Sequence, residues 1–355
     1  MPEIRLSASL YQRFLACPKS ASFSVDPETK NHNKPSTRAA LGMVSHELIE
    51  NSARIPKDWS LEQITLWFET NWEMFVEKQY GELVAKWSPN IVPKPQSWTG
   101  YFATRASAKT LVIKNSALLP PKSVSRAEAI SENQEEREYS LPLVEKFLVS
   151  SDLGIVGKPD FVFLENRKAT IYDYKFGNNQ EDLEKHKIQM YFYQLLIESV
   201  VKVEVGRLAI VASANRVWEV ISNRPEIEKL KRDIPRVISA LQSGKVAAVP
   251  SSQNCKFCPF KAICEPFKNA NIEIFPGRPM SITGEVRQVR KIDENFQELV
   301  ISSKKGATLE EIRIFGVPIQ YALSTGFRVF LSDNLEFRDE KIIGFSWNSR
   351  ITIQD

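Results

Sequence analysis

The sequence lacks the features that place a protein in a membrane or direct it out of the cell. No stretch of its 355 residues approaches the ~20 uninterrupted apolar residues of a membrane-spanning helix. Residues 1–5 lack the basic and then apolar pattern of a secretory signal. The net charge of +4 is compatible with a nucleic-acid partner but does not indicate one. We therefore expect a cytoplasmic protein with no membrane partner.

Cysteine and histidine are also scarce, with four and three residues in the chain. Cys255, Cys258 and Cys264 form a C-x2-C-x5-C run, and Cys17 stands alone far upstream. Four cysteines in a cytosolic chain of this size are more often metal ligands than disulfide partners. Zinc typically takes its cysteines as two pairs, whereas the run of three is compatible with an iron–sulfur cluster, although its spacing is not that of ferredoxins. The residues alone leave both metals open.

Apolar periodicity and turn residues divide the chain into a helical first part and a mixed second part. The patterns predict helices over residues 7–14, 37–53, 60–88 and 100–118, with a loop over 23–36. Further along they predict strands over 138–144, 154–163, 169–174, 207–212 and 217–221, a hairpin turn at 166–168, and helices over 183–201 and 226–241. This alternation of strands and helices predicts an α/β core.

The C-terminal part follows a connection that contains Pro266, Pro276 and Pro279. The predicted strands cover residues 281–289, 298–301, 311–314, 328–331 and 342–347. Five short strands predict a small all-β barrel such as an OB-fold, although an SH3-like barrel gives the same pattern.

Aromatic and basic side chains of this C-terminal part are candidates for binding single strands. In small barrels of this kind bases stack on aromatic rings, and lysine and arginine attract phosphates. For each ring, the alternative is a place in the barrel core. The candidates are Phe315, Phe327, Phe330, Trp347, Arg287, Arg290 and Lys291.

Two acids and a lysine carry the chemistry that the sequence predicts. Asp160 ends the sequence Gly-Lys-Pro-Asp before an apolar run, and Asp173-Tyr174-Lys175 ends the next predicted strand. Asp173 and Lys175 share one face of a strand, where an acid on the neighbouring antiparallel strand can meet them. Two carboxylates and a backbone carbonyl suit Mg²⁺ or Mn²⁺, and a nearby lysine stabilises charge on a phosphate. The alternative is an exposed ion pair worth under ~1 kcal/mol.

Helical residues on either side of these strands extend the candidate site. Gly42, His46 and Glu50 are four residues apart on one helix face, so His46 is a candidate metal ligand. Gln189 and Tyr193 share a face of the helix after the Asp-x-Lys strand and are candidates for contact with phosphates or bases. A structural role for His46, packing for Tyr193 and solvation of Gln189 are the alternatives.

Taken in order, these motifs resemble the RecB-like branch of the PD-(D/E)XK nuclease superfamily. With the cysteines included, residues 6–266 resemble its iron–sulfur members, among them the AddB-type recombination nucleases and the CRISPR-associated adaptation nucleases. The resemblance implies a restriction-endonuclease-like α/β core with a helical N-terminal part, in a nuclease domain over residues 1–270. The small all-β, OB-like barrel over residues 275–355 lies outside the common nuclease core.

The resemblance also assigns roles to the candidate residues. It implies that the catalytic metal is bound by His46, Asp160, Asp173 and the carbonyl of Tyr174, with Lys175 as the catalytic lysine. It implies that Gln189 and Tyr193 contact DNA. Glu138 is a looser match for a further acid. The resemblance favours a [4Fe–4S] cluster over zinc, held by Cys17, Cys255, Cys258 and Cys264.

The implied function is a deoxyribonuclease that depends on Mg²⁺ or Mn²⁺. We expect an exonuclease that prefers single-stranded DNA and acts in DNA repair, recombination or antiviral defence, with a helicase or a defence-system protein as its partner. The chain has no G-x-x-x-x-G-K-[ST] phosphate loop, so we do not expect it to unwind DNA with ATP. The alternative is a catalytically silent DNA-binding or scaffold subunit of a larger nuclease or helicase assembly, which would not require the acids and the lysine in register.

Overall fold

Helices occupy the first part of the chain, as the sequence predicts. The computed structural model describes residues 3–118, 139, 141–175, 183–212, 216–270, 272–275, 278–305, 308–339 and 341–354. Its helices are α1 (Ala8–Ala16), α2 (Pro18–Val25), α3 (Thr37–Ser52), α4 (Leu61–Trp87), α5 (Tyr101–Leu118), α6 (Leu183–Leu196), α7 (Arg224–Ser243), α8 (Ser252–Cys255) and α9 (Glu265–Asn269). Among the residues that the structure describes, no helix combines the length and the apolar character of a membrane span.

Strands follow α5 and alternate with α6 and α7 before the chain becomes all-β. They are β1 (Leu143–Val144), β2 (Leu148–Ser150), β3 (Ile155–Gly157), β4 (Phe161–Glu165), β5 (Lys168–Lys175), β6 (Val205–Ala212), β7 (Arg216–Glu219), β8 (Glu273–Phe275), β9 (Arg278–Pro279), β10 (Ser281–Lys291), β11 (Phe296–Lys305), β12 (Thr308–Pro318), β13 (Arg328–Ser332), β14 (Leu335–Phe337), β15 (Ile342–Phe345) and β16 (Arg350–Gln354).

The chain forms two compact units, each built from separate stretches of sequence. The first unit comprises Met1–Leu15, Ser36–Tyr80 and Pro95–Lys245. The second unit comprises Ala16–Pro35, Gly81–Lys94 and Val246–Asp355. Whether residues 1–270 and 275–355 are separate domains stays a prediction.

The first unit contains a five-stranded sheet in the order β1-β4-β5-β6-β7. β5 and β6 are parallel, with α6 between them in sequence, and the other neighbours are antiparallel. The α/β core is therefore confirmed. Asn166 and Arg167, with φ of 52° and 66°, form the turn between β4 and β5. This left-handed pair fits the twist of a two-residue hairpin, which confirms the predicted turn.

Strand register brings three acids to one end of this sheet. Phe161 lies opposite Tyr172, so Asp160 lies beside Asp173 at the end of the hairpin. On the other side of β4, Val144 lies opposite Phe161, and the amide of Glu145 donates to the carbonyl of Asp160 at 2.9 Å. The acids therefore meet because each lies at the same end of a neighbouring strand.

An apolar cluster places α3 against the strands that carry the acids. Ile49 of α3 packs with Leu111 of α5, Phe161 of β4 and Tyr174 of β5, and all four are buried. Ile49 is one turn from His46, and Phe161 follows Asp160 directly. The side chain of Ser36 accepts a hydrogen bond from the amide of Ala39 at 3.1 Å and so caps the N-terminus of α3. Packing on the sheet therefore fixes the position of the helix that carries the histidine.

The structure differs from the predicted elements at two prolines. The predicted strand over 154–163 is interrupted between β3 and β4, where Pro159 has no amide hydrogen to donate to a ladder. β3 pairs with β2 instead of joining the five-stranded sheet. Part of the predicted loop over 23–36 belongs to α2, which has Pro18 in its first turn, a position where proline is tolerated.

Of the predicted strand over 138–144, Leu143–Val144 is a strand, and Glu138 lies outside the described residues.

The second unit contains a curled seven-stranded sheet in the order β14-β15-β12-β11-β10-β13-β16. The all-β character of the C-terminal part is therefore confirmed, as a half-barrel sheet. Its core is aliphatic and includes fully buried Leu299, Ile314, Val329 and Ile343. Two strands of this sheet, β14 and β16, were not predicted, and β16 pairs with β13 at one edge of the sheet. β14 has three residues, which leaves little alternation to detect, whereas β16 is as long as the predicted strand β13. Outside this sheet, β2, β8 and β9 were not predicted either.

Candidate functional site

A cluster of acids surrounds His46 in the first unit. Nδ1 of His46 lies 2.8 Å from Oε1 of Glu145 and 3.3 Å from Oδ1 of Asp160. One ligand atom from each of these three residues falls within 4.8 Å of the others. Glu145 and Asp160 are buried, whereas the imidazole is partly exposed. These three side chains could therefore share one cation.

Asp160 and Asp173 lie side by side at the end of the hairpin. The amide of Tyr174 donates to Oδ2 of Asp160 at 2.5 Å, which fixes the carboxylate against β5. Asp173 is fully buried. Two buried carboxylates side by side repel each other, so a site of this kind favours a bound cation.

Lys175 and Gln189 hold Asp173 in place. Nζ of Lys175 lies 2.6 Å from Oδ2 of Asp173 and donates to Oε1 of Gln189 at 3.1 Å. Nε2 of Gln189 lies 3.2 Å from Oδ1 of Asp173 and 2.6 Å from the hydroxyl of Tyr193. The hydroxyl of Tyr193 in turn donates to the carbonyl of Lys158 at 3.0 Å. The structure thus links Gln189 and Tyr193 to the acid–lysine pair.

Charges within the site shift the pKa values of its cations and its deepest acid. Burial alone lowers the pKa of His46, but the carboxylates of Asp160 and Glu145 outweigh burial and raise it to about 10. Burial raises the pKa of Asp173, and Lys175 opposes the shift only in part. Burial lowers the pKa of Lys175, but the charges of Asp173 and Asp160 outweigh it and raise that pKa. Negative charge therefore dominates the field in the site.

The donor set fits a hard divalent cation. Oxygen atoms of three carboxylates with one imidazole nitrogen suit Mg²⁺ or Mn²⁺ better than a soft metal. Of the ligands that the sequence suggested, the structure places His46 and Asp160 within one cluster, together with Glu145. Asp173 lies beside Asp160, but its two oxygens contact Lys175 and Gln189. The fourth predicted ligand, the carbonyl of Tyr174, belongs to the residue whose amide contacts Asp160.

Sequence reasoning missed Glu145, whose Oε1 lies 2.8 Å from Nδ1 of His46. The looser match for a further acid, Glu138, lies outside the described part of the chain. Glu145 has φ of 47°, a left-handed conformation that glutamate rarely adopts. The one available signal was an acid directly after the apolar pair Leu143-Val144. A strand of two residues is too short for that signal to stand out.

The four cysteines lie together in the second unit. All of them line one small cavity, with Phe23, Phe260 and Phe267 among its other walls. Cys17 precedes α2, Cys255 ends α8 and Cys264 precedes α9. The lone upstream cysteine and the run of three are therefore brought to the same place, as the metal-ligand prediction requires.

Polar groups surround the thiols in a way that suits metal-bound thiolates. The amide of Val249 donates to Sγ of Cys17 at 3.4 Å, and Sγ of Cys258 lies 3.6 Å from Oγ of Ser20. Burial raises the pKa of Cys255 and of Cys264, and the neighbouring thiols add to each shift. Four clustered thiolates are thus unfavourable without a cation, and a metal group would remove that penalty.

The shared cavity is compatible with either metal that the sequence left open. A zinc ion binds four thiolates directly, whereas in an iron–sulfur cluster each thiolate binds a different iron atom. The identity of the metal therefore stays a prediction.

Lys261 is a buried cation that ties the cysteine run to the C-terminal sheet of the same unit. It is 2% exposed, and its Nζ donates to the carbonyls of Cys255 and Lys256 at 3.0 and 3.1 Å. The same ammonium pairs with Asp333, which follows β13. Nε of Arg350, in β16, lies 3.3 Å from the other oxygen of Asp333. This network holds the loop between Cys255 and Cys258 in a fixed shape.

The candidate stacking rings of the C-terminal sheet differ in their surroundings. Phe330 is 1% exposed and packs with Cys255 and Phe267, so its prediction as an exposed stacking ring is wrong. Trp347 packs edge-on against Trp87, with ring centroids 5.4 Å apart. Phe327 is exposed and Phe315 is half-buried.

Two of the candidate phosphate-binding cations of this sheet are already paired. Arg287 lies 2.8 Å from Glu285, and Arg290 lies 2.6 Å from Glu298. Lys291 is exposed. Binding of single strands by this sheet therefore stays a prediction that rests on fewer groups than the sequence suggested.

An acid cluster beside a lysine, at the strand ends of an α/β sheet, defines the class of a metal-dependent nuclease. Comparison with protein-family models agrees, because the model of the PD-(D/E)XK nuclease superfamily matches residues 5–265. The chain belongs to this superfamily, whose members cleave phosphodiester bonds and typically use a divalent metal such as Mg²⁺. No curated protein sequence gives a match to the chain.

Proposed function

We propose that this protein is a deoxyribonuclease that depends on Mg²⁺ or Mn²⁺. The observation that carries the proposal is the convergence of His46, Glu145 and Asp160 within 4.8 Å, beside the buried pair of Asp173 and Lys175. Binding alone would not require three buried acids, each of which costs free energy to desolvate. Membership of the PD-(D/E)XK superfamily supports the same reaction.

Each residue of the site has a role in the proposed reaction. His46, Glu145, Asp160 and Asp173 would hold the ion, together with the carbonyl of Tyr174. When bound, the ion would supply a water of lowered pKa and polarise the scissile phosphate. Lys175 places its ammonium beside the charge that develops on the phosphate. Gln189 orients both Asp173 and Lys175 through the two ends of its amide.

Tyr193 extends this positioning toward the loop before β4. Its hydroxyl contacts the amide of Gln189 and the carbonyl of Lys158. Gln189 and Tyr193 also remain our candidates for contact with DNA, although Tyr193 is only 6% exposed. The amide of Gln189 is the more accessible of the two proposed contacts, because Gln189 is only partly buried.

We propose further that the protein belongs to the RecB-like branch and is an exonuclease that prefers single-stranded DNA. The order of His46, Asp160, Asp173-Tyr174-Lys175 and Gln189-x-x-x-Tyr193 supports this branch. A role in repair, recombination or antiviral defence in the cytoplasm, beside a helicase or defence-system partner, follows from that branch. The scaffold alternative is less well supported, because the acids, the lysine and the glutamine are in contact.

We also propose that the four cysteines hold a [4Fe–4S] cluster. Two observations support a metal group at these residues, the shared cavity and the amide that donates to Cys17. The arrangement of one upstream cysteine and a run of three favours the iron–sulfur cluster over zinc. The proposed cluster lies in the second unit, whereas the catalytic residues lie in the first. We assign the cluster a structural role, because it would join Cys17 to the run of three cysteines far downstream in the sequence.

The experiment that tests the function is a cleavage assay on labelled oligonucleotides. We expect the purified protein to degrade a 5′-labelled single strand in Mg²⁺ or Mn²⁺, and to leave it intact in EDTA, because the acids need the ion to activate water. A duplex of the same sequence should be degraded more slowly. A circular single strand should resist, since an exonuclease needs an end.

The substrate panel separates the parts of the proposal. Cleavage of the circle would replace the exonuclease with an endonuclease, and equal rates on duplex and single strand would remove the strand preference. Binding without cleavage in either metal would support the scaffold alternative. Cleavage that persists in EDTA would contradict the metal mechanism itself.

A further inference from the structure

Lys158 is a second lysine in contact with the acids of the site. Its Nζ lies 2.9 Å from Oε2 of Glu145 and 3.5 Å from Oε2 of Glu50. The side chain of Lys158 is 45% exposed, whereas that of Glu145 is 3% exposed. One side of the ammonium therefore faces a buried acid and the other faces solvent.

The backbone that carries Lys158 is held in place on both sides. The hydroxyl of Tyr193 donates to the carbonyl of Lys158 at 3.0 Å. Gly157 approaches α6 so closely that a Cβ there would lie 2.7 Å from Cδ1 of Leu196. Pro159 fixes its own φ and restricts Lys158 to extended conformations. The backbone of Lys158 is therefore fixed in position, whereas its side chain is flexible and carries an exposed charge.

Lys158 and Lys175 lie at different depths in the site. The side chain of Lys175 is 24% exposed, and its ammonium contacts both Asp173 and Gln189. The ion pair of Lys158 with Glu50 is longer and joins two exposed side chains, at 45% and 40% exposure. Exposed pairs of this kind contribute little, so a phosphate can displace Glu50. The negative field of the acids would repel a nucleic acid, and an exposed cation at their edge offsets that repulsion.

We propose that Lys158 binds a backbone phosphate next to the scissile one. The proposal rests on the proposed nuclease function and deepens it, by assigning a substrate-binding residue outside the acid–lysine pair. Glu50 is the partner of Lys158 in the free protein, and the phosphate takes its place. Lys158 also stays beside Glu145, so one ammonium contacts both a proposed metal ligand and the strand to be cut.

The test compares Lys158→Ala and Lys158→Arg with a matched lysine outside the site. Lys168, at the far end of β5, is half exposed and pairs with Glu204, so Lys168→Ala is the control. Cleavage of a labelled single strand is measured in Mg²⁺, and binding is measured by fluorescence anisotropy in EDTA over a series of NaCl concentrations. For Lys158→Ala we expect KM to rise about tenfold and kcat to stay within about threefold, because a flanking contact is made equally in the ground and transition states.

The salt dependence reports the phosphate contact directly. Loss of one contact to a single strand should reduce the slope of log K against log [NaCl] by about 0.7. Lys158→Arg should restore most of the slope and of the KM, and Lys168→Ala should behave as the wild type. If Lys158→Ala melts at a lower temperature than the wild type, Lys158→Gln is used in its place, because glutamine keeps most of the aliphatic part of the side chain.

Two results would overturn the proposal, and they differ from each other. A Lys158→Ala protein with an unchanged salt slope, but a raised Mg²⁺ concentration for half-maximal rate, would show that the lysine only positions Glu145. That result would leave the nuclease function standing. A wild-type protein that fails to cut DNA in Mg²⁺ or Mn²⁺ would overturn both proposals together.

Discussion

Replacement of Lys175 by alanine is expected to reduce kcat for DNA cleavage by about 10³-fold. A loss of this size is typical when an enzyme loses a group that stabilises charge in the transition state. That factor corresponds to about 4 kcal/mol of activation free energy. The ammonium of Lys175 touches Asp173 and Gln189 at the deep end of the site, where water cannot easily replace it. Binding of the strand should stay within about tenfold of the wild type, because most contacts to phosphates lie elsewhere.

The control for this variant is again Lys168→Ala, which removes a lysine from the same strand. Lys168 lies 2.6 Å from Glu204 and contacts none of the proposed metal ligands in the structure as described. We expect it to cut at the wild-type rate. Melting curves of both variants would show whether a lost rate reflects a lost fold. Full cleavage by a folded Lys175→Ala protein would remove Lys175 from the mechanism.

Cys17→Ser and Cys264→Ser should both lose the metal group and much of the stability of the protein. The proposed cluster closes a loop of well over 200 residues, because Cys17 and Cys264 line the same cavity. By analogy with a disulfide of that span, closure stabilises the native state by about 5 kcal/mol through the entropy of the unfolded chain. The two variants should therefore resemble each other, although the residues are far apart in sequence.

The measurements are iron content, absorbance near 400 nm and thermal melting of protein prepared without oxygen. Ala270→Ser is a suitable control, because it places a serine at an exposed position just after α9. We expect the control to keep its iron and its melting temperature. Normal iron and melting in Cys17→Ser would disprove the cross-link. Zinc in place of iron in the wild type would keep the cross-link and change the metal.

The sequence predicted the parts of the fold in which local pattern and turn chemistry agree. The helix α3 and the strand β5 fall within a residue of their predicted limits, and the turn before β5 lies where it was predicted. The predicted helix over 183–201 is observed as α6 followed by a π-helical turn over Ile197–Val201. Serine at a helix N-terminus and a left-handed pair at a hairpin are local signals, which a single sequence carries in full. Strand alternation at the ends of these elements therefore sufficed to place the acids and the lysine on one face.

The groups that sequence reasoning missed depend on contacts between distant segments. Glu145 reaches His46 only because β1 pairs with β4, and β1 is two residues long. Lys261 is buried only because Asp333, on another element, neutralises it. Lysine is normally exposed, so no sequence pattern could have indicated this buried one. Phe330 is buried for a related reason, because its partners Cys255 and Phe267 lie in a different segment of the chain.

The most direct test of the central claim compares cleavage by the wild type and by Asp160→Asn in Mg²⁺. Asparagine keeps an oxygen that can accept from the amide of Tyr174, so the hairpin should remain intact while one charge of the acid cluster is lost. The account predicts that the wild type degrades a labelled single strand and that the folded variant leaves it uncut at the same Mg²⁺ concentration. Equal cleavage by the two proteins would contradict the claim that the acids around His46 hold the metal that cuts the strand.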